Sequence, residues 1–159
     1  MNEKERLERR ALAFFLRHYN RKNDTRYRIH IKQERPDFIV KDKFSGELLG
    51  VEISHIFHDK KEAMMILGRD ASHIHGIITS DDHVRVLERI LKKKAEKFLG
   101  YDFDGPIILV IRDYTPIFDA KNIFDPLVHF KMPASGFREV WYLNRTKPSK
   151  KWDRLVRLK

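Results

Sequence analysis

Apolar positions recur along this chain with two periods, and the switches between them outline a fold. From Asn2 to about Asn20, Leu7, Ala11, Phe14 and His18 follow one helical seam and Leu12, Phe15 and Tyr19 the next. The stretch has no Gly or Pro and is rich in helix formers, so a helix is expected. Tyr27 to Gln33 alternates instead. Tyr27, Ile29 and Ile31 lie on one side and Arg28, His30 and Lys32 on the other, as in a half-buried strand. Two more strands are expected around Pro36 to Lys41 and Leu48 to Ser54, with a Ser45-Gly46 turn between them. Leu48, Leu49, Val51 and Ile53 make the latter apolar enough to be central in a sheet.

His55 to Thr79 carries the weakest pattern, with a short helix expected at Lys60 to Leu67. Thr79-Ser80-Asp81-Asp82 then reads as a helix start, and the helix runs to about Leu99 before Gly100 ends it. Its inward seam is Val84, Leu87, Leu91, Lys94 and Phe98. Lys94 therefore interrupts an apolar face, where an ammonium needs a carboxylate partner or a polar cavity. The competing reading is a lysine whose stem packs on Leu91 and Phe98 while its head reaches water. Lys97 lies on the flank of the same face. Pro106 to Asp113 has the composition of a buried parallel strand and completes a strand–helix–strand crossover. A short helix at Asp119 to Phe130, a strand at Phe137 to Asn144 and an edge strand within Trp152 to Lys159 follow. The expectation is one α/β domain over residues 1–159, with a mixed central sheet, helices on both faces and the order α-β-β-β-α-β-(α)-β.

Composition narrows the function. Lys and Arg number 33 against 23 Asp and Glu, a net charge of +10, which favours polyanionic partners. The chain has no cysteine, which removes disulfides, thiolate zinc sites and cysteine nucleophiles. His55, His58, His73 and His75 have no spacing typical of a zinc site, although one could shuttle protons. No apolar run reaches the ~20 residues of a membrane span, and the charged start lacks a signal core. A cytoplasmic protein without a membrane partner is expected. Phosphate-binding loops of the GxxxxGK[ST] and GxGxxG kinds are absent, as is a GxSxG elbow.

The chemistry converges on Glu34 to Ser54. If the connection between the two strands is centred between Phe44 and Ser45, facing residues have numbers summing to 89, and Asp37 lies opposite Glu52. Opposed side chains sit about 4.5–5.5 Å apart at Cβ; a slip of one residue would put the acids on opposite faces. Two carboxylates that close repel each other, and a hard divalent cation such as Mg²⁺ relieves the repulsion while keeping waters for a phosphate substrate. On the first helix, Glu8 continues the Leu12–Phe15–Tyr19 seam and could point at the same place, with Glu5 as the fallback. The alternative for Glu8 is a solvated acid favoured by the helix dipole.

Pro36-Asp37, fourteen residues, then Glu52-Ile53-Ser54 resembles the motif of the PD-(D/E)XK nuclease superfamily. The resemblance spans roughly Met1 to Tyr142. It implies a restriction-endonuclease-like fold and Mg²⁺- or Mn²⁺-dependent hydrolysis of phosphodiester bonds, most plainly in DNA. Asp37, Glu52 and the Ile53 carbonyl would bind the metal, and a first-helix glutamate, here Glu8, would approach it. Ser54 stands where the motif has lysine. The family is known to move that lysine to the following helix, which makes Lys94 the first candidate and Lys97 the second. The other function open to such a chain is a catalytically silent nucleic-acid-binding module on the same fold; homodimerisation stays open in either case.

Overall fold

The computed structural model describes residues 2–56, 80–113, 132–144 and 154–159. The helices expected at 60–67 and 119–130, and His58, His73 and His75, lie outside them. The first helix, α1, spans Glu3–Asn23. It starts where expected and runs three residues further, because Asp24 adopts a left-handed conformation and donates its backbone N–H to Asn20. Asn2 caps its start by accepting the Glu5 N–H. Three strands follow: β1 (Tyr27–Lys32), β2 (Phe38–Asp42) and β3 (Leu48–Ile56). The second helix, α2, covers Ser80–Lys97 and tightens into a 3-10 turn at Phe98–Gly100. Strands β4 (Ile107–Asp113), β5 (Glu139–Asn144) and β6 (Arg154–Arg157) complete the described elements.

The strands form a six-stranded mixed sheet in the order β1-β2-β3-β4-β5-β6. β3, β4 and β5 are parallel to one another, and the remaining neighbours are antiparallel. Period-two alternation sorts the parallel strands into two cores. Ile108, Val110, Trp141 and Leu143 face α1, where Ala11, Leu12 and Phe15 pack on them. Ile107, Leu109, Ile111, Val140 and Tyr142 face α2, against Val84, Leu87 and Leu91. The protein is therefore α/β with helices on both faces of its sheet. No helix among the described residues is long and apolar enough to cross a membrane.

β1 corrects the sequence reading. Ile29 and Ile31 are 41% and 45% exposed rather than buried, because β1 is an edge strand. A bulge between them shifts the pairing from Ile29↔Val40 to Ile31↔Ile39 and Lys32↔Phe38. Paired residues share a face, so the bulge carries Lys32 to the side of Phe38 and α1, opposite to where simple alternation puts it.

The β2–β3 hairpin has the register expected of it: Phe38↔Val51, Ile39↔Gly50, Val40↔Leu49 and Lys41↔Leu48. Asp42 fixes it. Its carboxylate accepts the N–H groups of Arg26, Phe44 and Ser45 and the Ser45 hydroxyl. Gly46 supplies the positive φ of 76° that closes the turn. At the other end of the hairpin Pro36 packs onto β3 at Gly50, where a Cβ would come within 2.9 Å of the proline ring.

Candidate active site

The hairpin brings Asp37 and Glu52 together on the α2 side of the sheet. Asp37 precedes the first residue of β2, and Glu52 lies in the buried C-terminal half of β3. The two are cross-linked through the main chain. The Asp37 N–H donates to Glu52 Oε1 at 3.0 Å, and the Ile53 N–H donates to Asp37 Oδ2 at 2.8 Å. In an extended strand a residue's N–H and C=O point to the same side, so the Ile53 carbonyl also faces the Asp37 side of β3.

Glu52 is only 4% exposed, and a buried carboxylate is costly unless donors replace its water. Three do. Lys94 Nζ lies 3.0 Å from Oε2, the Tyr101 hydroxyl donates to the same oxygen at 2.7 Å, and the Asp37 N–H occupies Oε1. Burial pushes the Glu52 carboxyl up, but Lys94 and the hydrogen bonds from Asp37 and Tyr101 outweigh it and hold the group below its ordinary range. Asp37 goes the other way. Burial, then the neighbouring Glu52 charge, pushes its carboxyl up to about 8. The pair thus resists carrying two charges. Tyr101 is a residue the sequence reading missed, since it follows the 3-10 turn in a segment without periodicity. Its ring is set by Phe98 and Phe137.

Lys94 reaches the acids because α2 lies across the β3–β4 face with Val84, Leu87 and Leu91 buried beneath it. The lysine continues that seam one turn past Leu91, above Glu52. Lys97 lines the same cleft without contacting Glu52; crowding by Lys93, then burial and Lys94, lowers its affinity for a proton. Ser54 is buried on the same face of β3, two residues beyond Glu52.

Glu8 lies on the cleft from the α1 side and is 3% exposed. Lys32 Nζ is 3.6 Å from its Oε2, while Lys4 Nζ and His55 Nε2 are each 3.8 Å from its Oε1. Burial alone would raise this carboxyl; the His55, Lys32 and Lys4 groups bring it below its ordinary range. Glu5, the fallback, is instead paired with Arg9 on the helix flank.

These groups share a cleft of about 580 Å³ whose rim is cationic: Lys4, Arg35, Arg89, Lys93 and Lys97 all line it. Among the described residues, no three His, Cys, Asp or Glu side chains converge on one point as a ready-made metal cage. The donor set is two carboxylates and a main-chain carbonyl, hard oxygens of the kind that hold Mg²⁺ while water fills the rest of its shell. A pair held where double ionisation is unfavourable fits such an ion, which would relieve the repulsion. Comparisons with models of known protein families, with curated proteins and with solved structures return no match.

Proposed function

We propose that this protein is a divalent-cation-dependent nuclease with a restriction-endonuclease-like core, hydrolysing phosphodiester bonds, in DNA before RNA. The observation that carries the reading is the 3.0 Å contact of Lys94 with Glu52. It supplies from α2 the ammonium that Ser54 does not supply from β3, so two carboxylates and a lysine meet in one cleft.

Asp37, Glu52 and the Ile53 carbonyl would hold Mg²⁺. When bound, that ion supplies Lewis acidity toward a water nucleophile and a phosphate oxygen. The chain does the rest. Tyr101 holds the Glu52 carboxylate in place, leaving its orientation independent of solvent. The Lys94 ammonium, half-buried beside Glu52, orients the attacking water and offsets the charge that develops on the phosphate. Lys93, Lys97, Arg35 and Arg89 take the flanking phosphates, so affinity depends on salt and little on sequence.

Ser54 at the motif position favours a second reading, a nucleic-acid-binding module without hydrolytic activity. One experiment separates them. Supercoiled DNA, single-stranded DNA and RNA are incubated with the parent protein and with Glu52→Gln, in Mg²⁺, Mn²⁺ or EDTA. The nuclease reading expects cleavage by the parent only, abolished by EDTA. Binding to these substrates without cleavage in either metal would leave the silent module.

A further inference from the structure

Lys32 has no part in the mechanism above, yet it occupies a decisive position. Its ammonium lies between two carboxylates, 3.6 Å from Glu8 Oε2 and 3.9 Å from Asp37 Oδ1. Its place is built rather than incidental. The bulge in β1 turns the side chain to this face, its Nζ donates to the Gln33 carbonyl at 3.0 Å, and it sits 4.9 Å from the centroid of the Phe38 ring.

We propose that Lys32 is a resident cation occupying the position a second divalent ion would need, so that the centre takes a single ion. The proposal rests on the divalent-cation reading of Asp37 and Glu52. A second ion beside Asp37 would have to draw on Glu8, the other buried carboxylate on the cleft; Glu34 also lines the cleft but is exposed. Both Glu8 oxygens are already engaged: Lys32 faces one, and Lys4 and the His55 ring face the other. A divalent ion brought between Glu8 and Asp37 would meet the Lys32 ammonium within contact distance, where like charges repel. Glu8 thus acts as the tether for Lys32 and as a positioning residue, with no direct contact to the ion. The fixed ammonium places positive charge beside Asp37 at all times, without depending on the metal supply.

The test counts ions directly. Mn²⁺ is titrated into the metal-free protein at neutral pH, with free Mn²⁺ read by electron paramagnetic resonance. The parent, Lys32→Gln, Lys32→Arg, Lys32→Gln with Glu8→Gln, and Asp37→Asn are compared, with folding checked by circular dichroism. The expected counts are one ion for the parent and for Lys32→Arg, two for Lys32→Gln, and one again when Glu8→Gln is added. Two ions in the parent, or one in a folded Lys32→Gln, would overturn the proposal while leaving the cation reading intact. Should Lys32→Gln not fold, Glu8→Gln alone decides: the single ion stays if Glu8 is a tether and is lost if Glu8 is a ligand. No uptake by the parent, with Asp37→Asn indistinguishable from it, would remove the cation reading itself.

Discussion

Asp37→Asn should make the metal-free protein more stable at alkaline pH, against the usual rule that changing a buried polar residue destabilises. The Asp37 carboxyl is pushed up to about 8 by burial and by Glu52, whereas in an unfolded chain it titrates near 3.9. A group raised in the fold contributes stability that is fully present below the unfolded value and is lost as pH rises through the folded one. For these two values the loss between pH 5 and pH 9 is on the order of 4 kcal/mol. That corresponds to roughly 8–16 °C in Tm for a domain of this size. The asparagine keeps the oxygen that accepts the Ile53 N–H. Its amide can donate toward Glu52 as the protonated acid does, so the variant carries no such slope. Thermal melts of parent and variant are recorded in EDTA from pH 5 to 9, and the difference between them reports the titration of the Asp37–Glu52 pair. It should move in the variant's favour by about 4 kcal/mol between pH 5 and pH 9. Adding Mn²⁺ at pH 9 should restore the parent and leave the variant unmoved. Parallel pH profiles in EDTA would show that the two carboxylates do not oppose each other as described.

Three further outcomes follow from the same geometry. Asp42→Ala removes the acceptor that gathers three N–H groups and the Ser45 hydroxyl at the hairpin; a lower urea midpoint is expected, and an unchanged midpoint would deny it a role in setting the register. Tyr101→Phe keeps the ring packing but withdraws one donor from Glu52, so stability at neutral pH should fall by roughly 1.5–3 kcal/mol, with the loss shrinking as acid protonates Glu52; a loss that persists at low pH would assign it to packing instead. Lys93→Gln with Lys97→Gln should weaken duplex DNA binding and lower the slope of log affinity against log salt by about 2, and an unchanged slope would move the phosphate track away from this rim.

How much of this was legible in the sequence depends on which elements are periodic. The hairpin register could be read once the connection was centred between Phe44 and Ser45, beside the Ser45-Gly46 turn signal; Leu49, Val51 and Ile53 then share the α1 face and Glu52 falls opposite Asp37 on the other. Lys94 could be read because α2 keeps strict helical spacing, so one charged residue stands out on an apolar seam. Glu8 could be read for the same reason on α1. Lys32 could not. Alternation places it across the sheet from Tyr27, and only the bulge, which no residue type between Ile29 and Ile31 announces, returns it to the α1 face. Ile29 and Ile31 misled in the opposite sense: their pattern is that of a half-buried strand, but an edge position leaves them open to water. Tyr101 was invisible because its role depends on the chain turning back after Gly100, a tertiary event without local signature.

The central claim, that Lys94 serves a hydrolytic site built on Asp37 and Glu52, is tested most directly by plasmid nicking with Lys94→Met. Methionine keeps the stem that packs beside Leu91 and removes only the charge; Glu52 retains the Tyr101 hydroxyl and the Asp37 N–H, so the fold should persist. With DNA in excess of its dissociation constant and Mg²⁺ present, the account predicts parental DNA binding and a nicking rate at least ~10²-fold lower. Nicking by a folded Lys94→Met at the parental rate would contradict it.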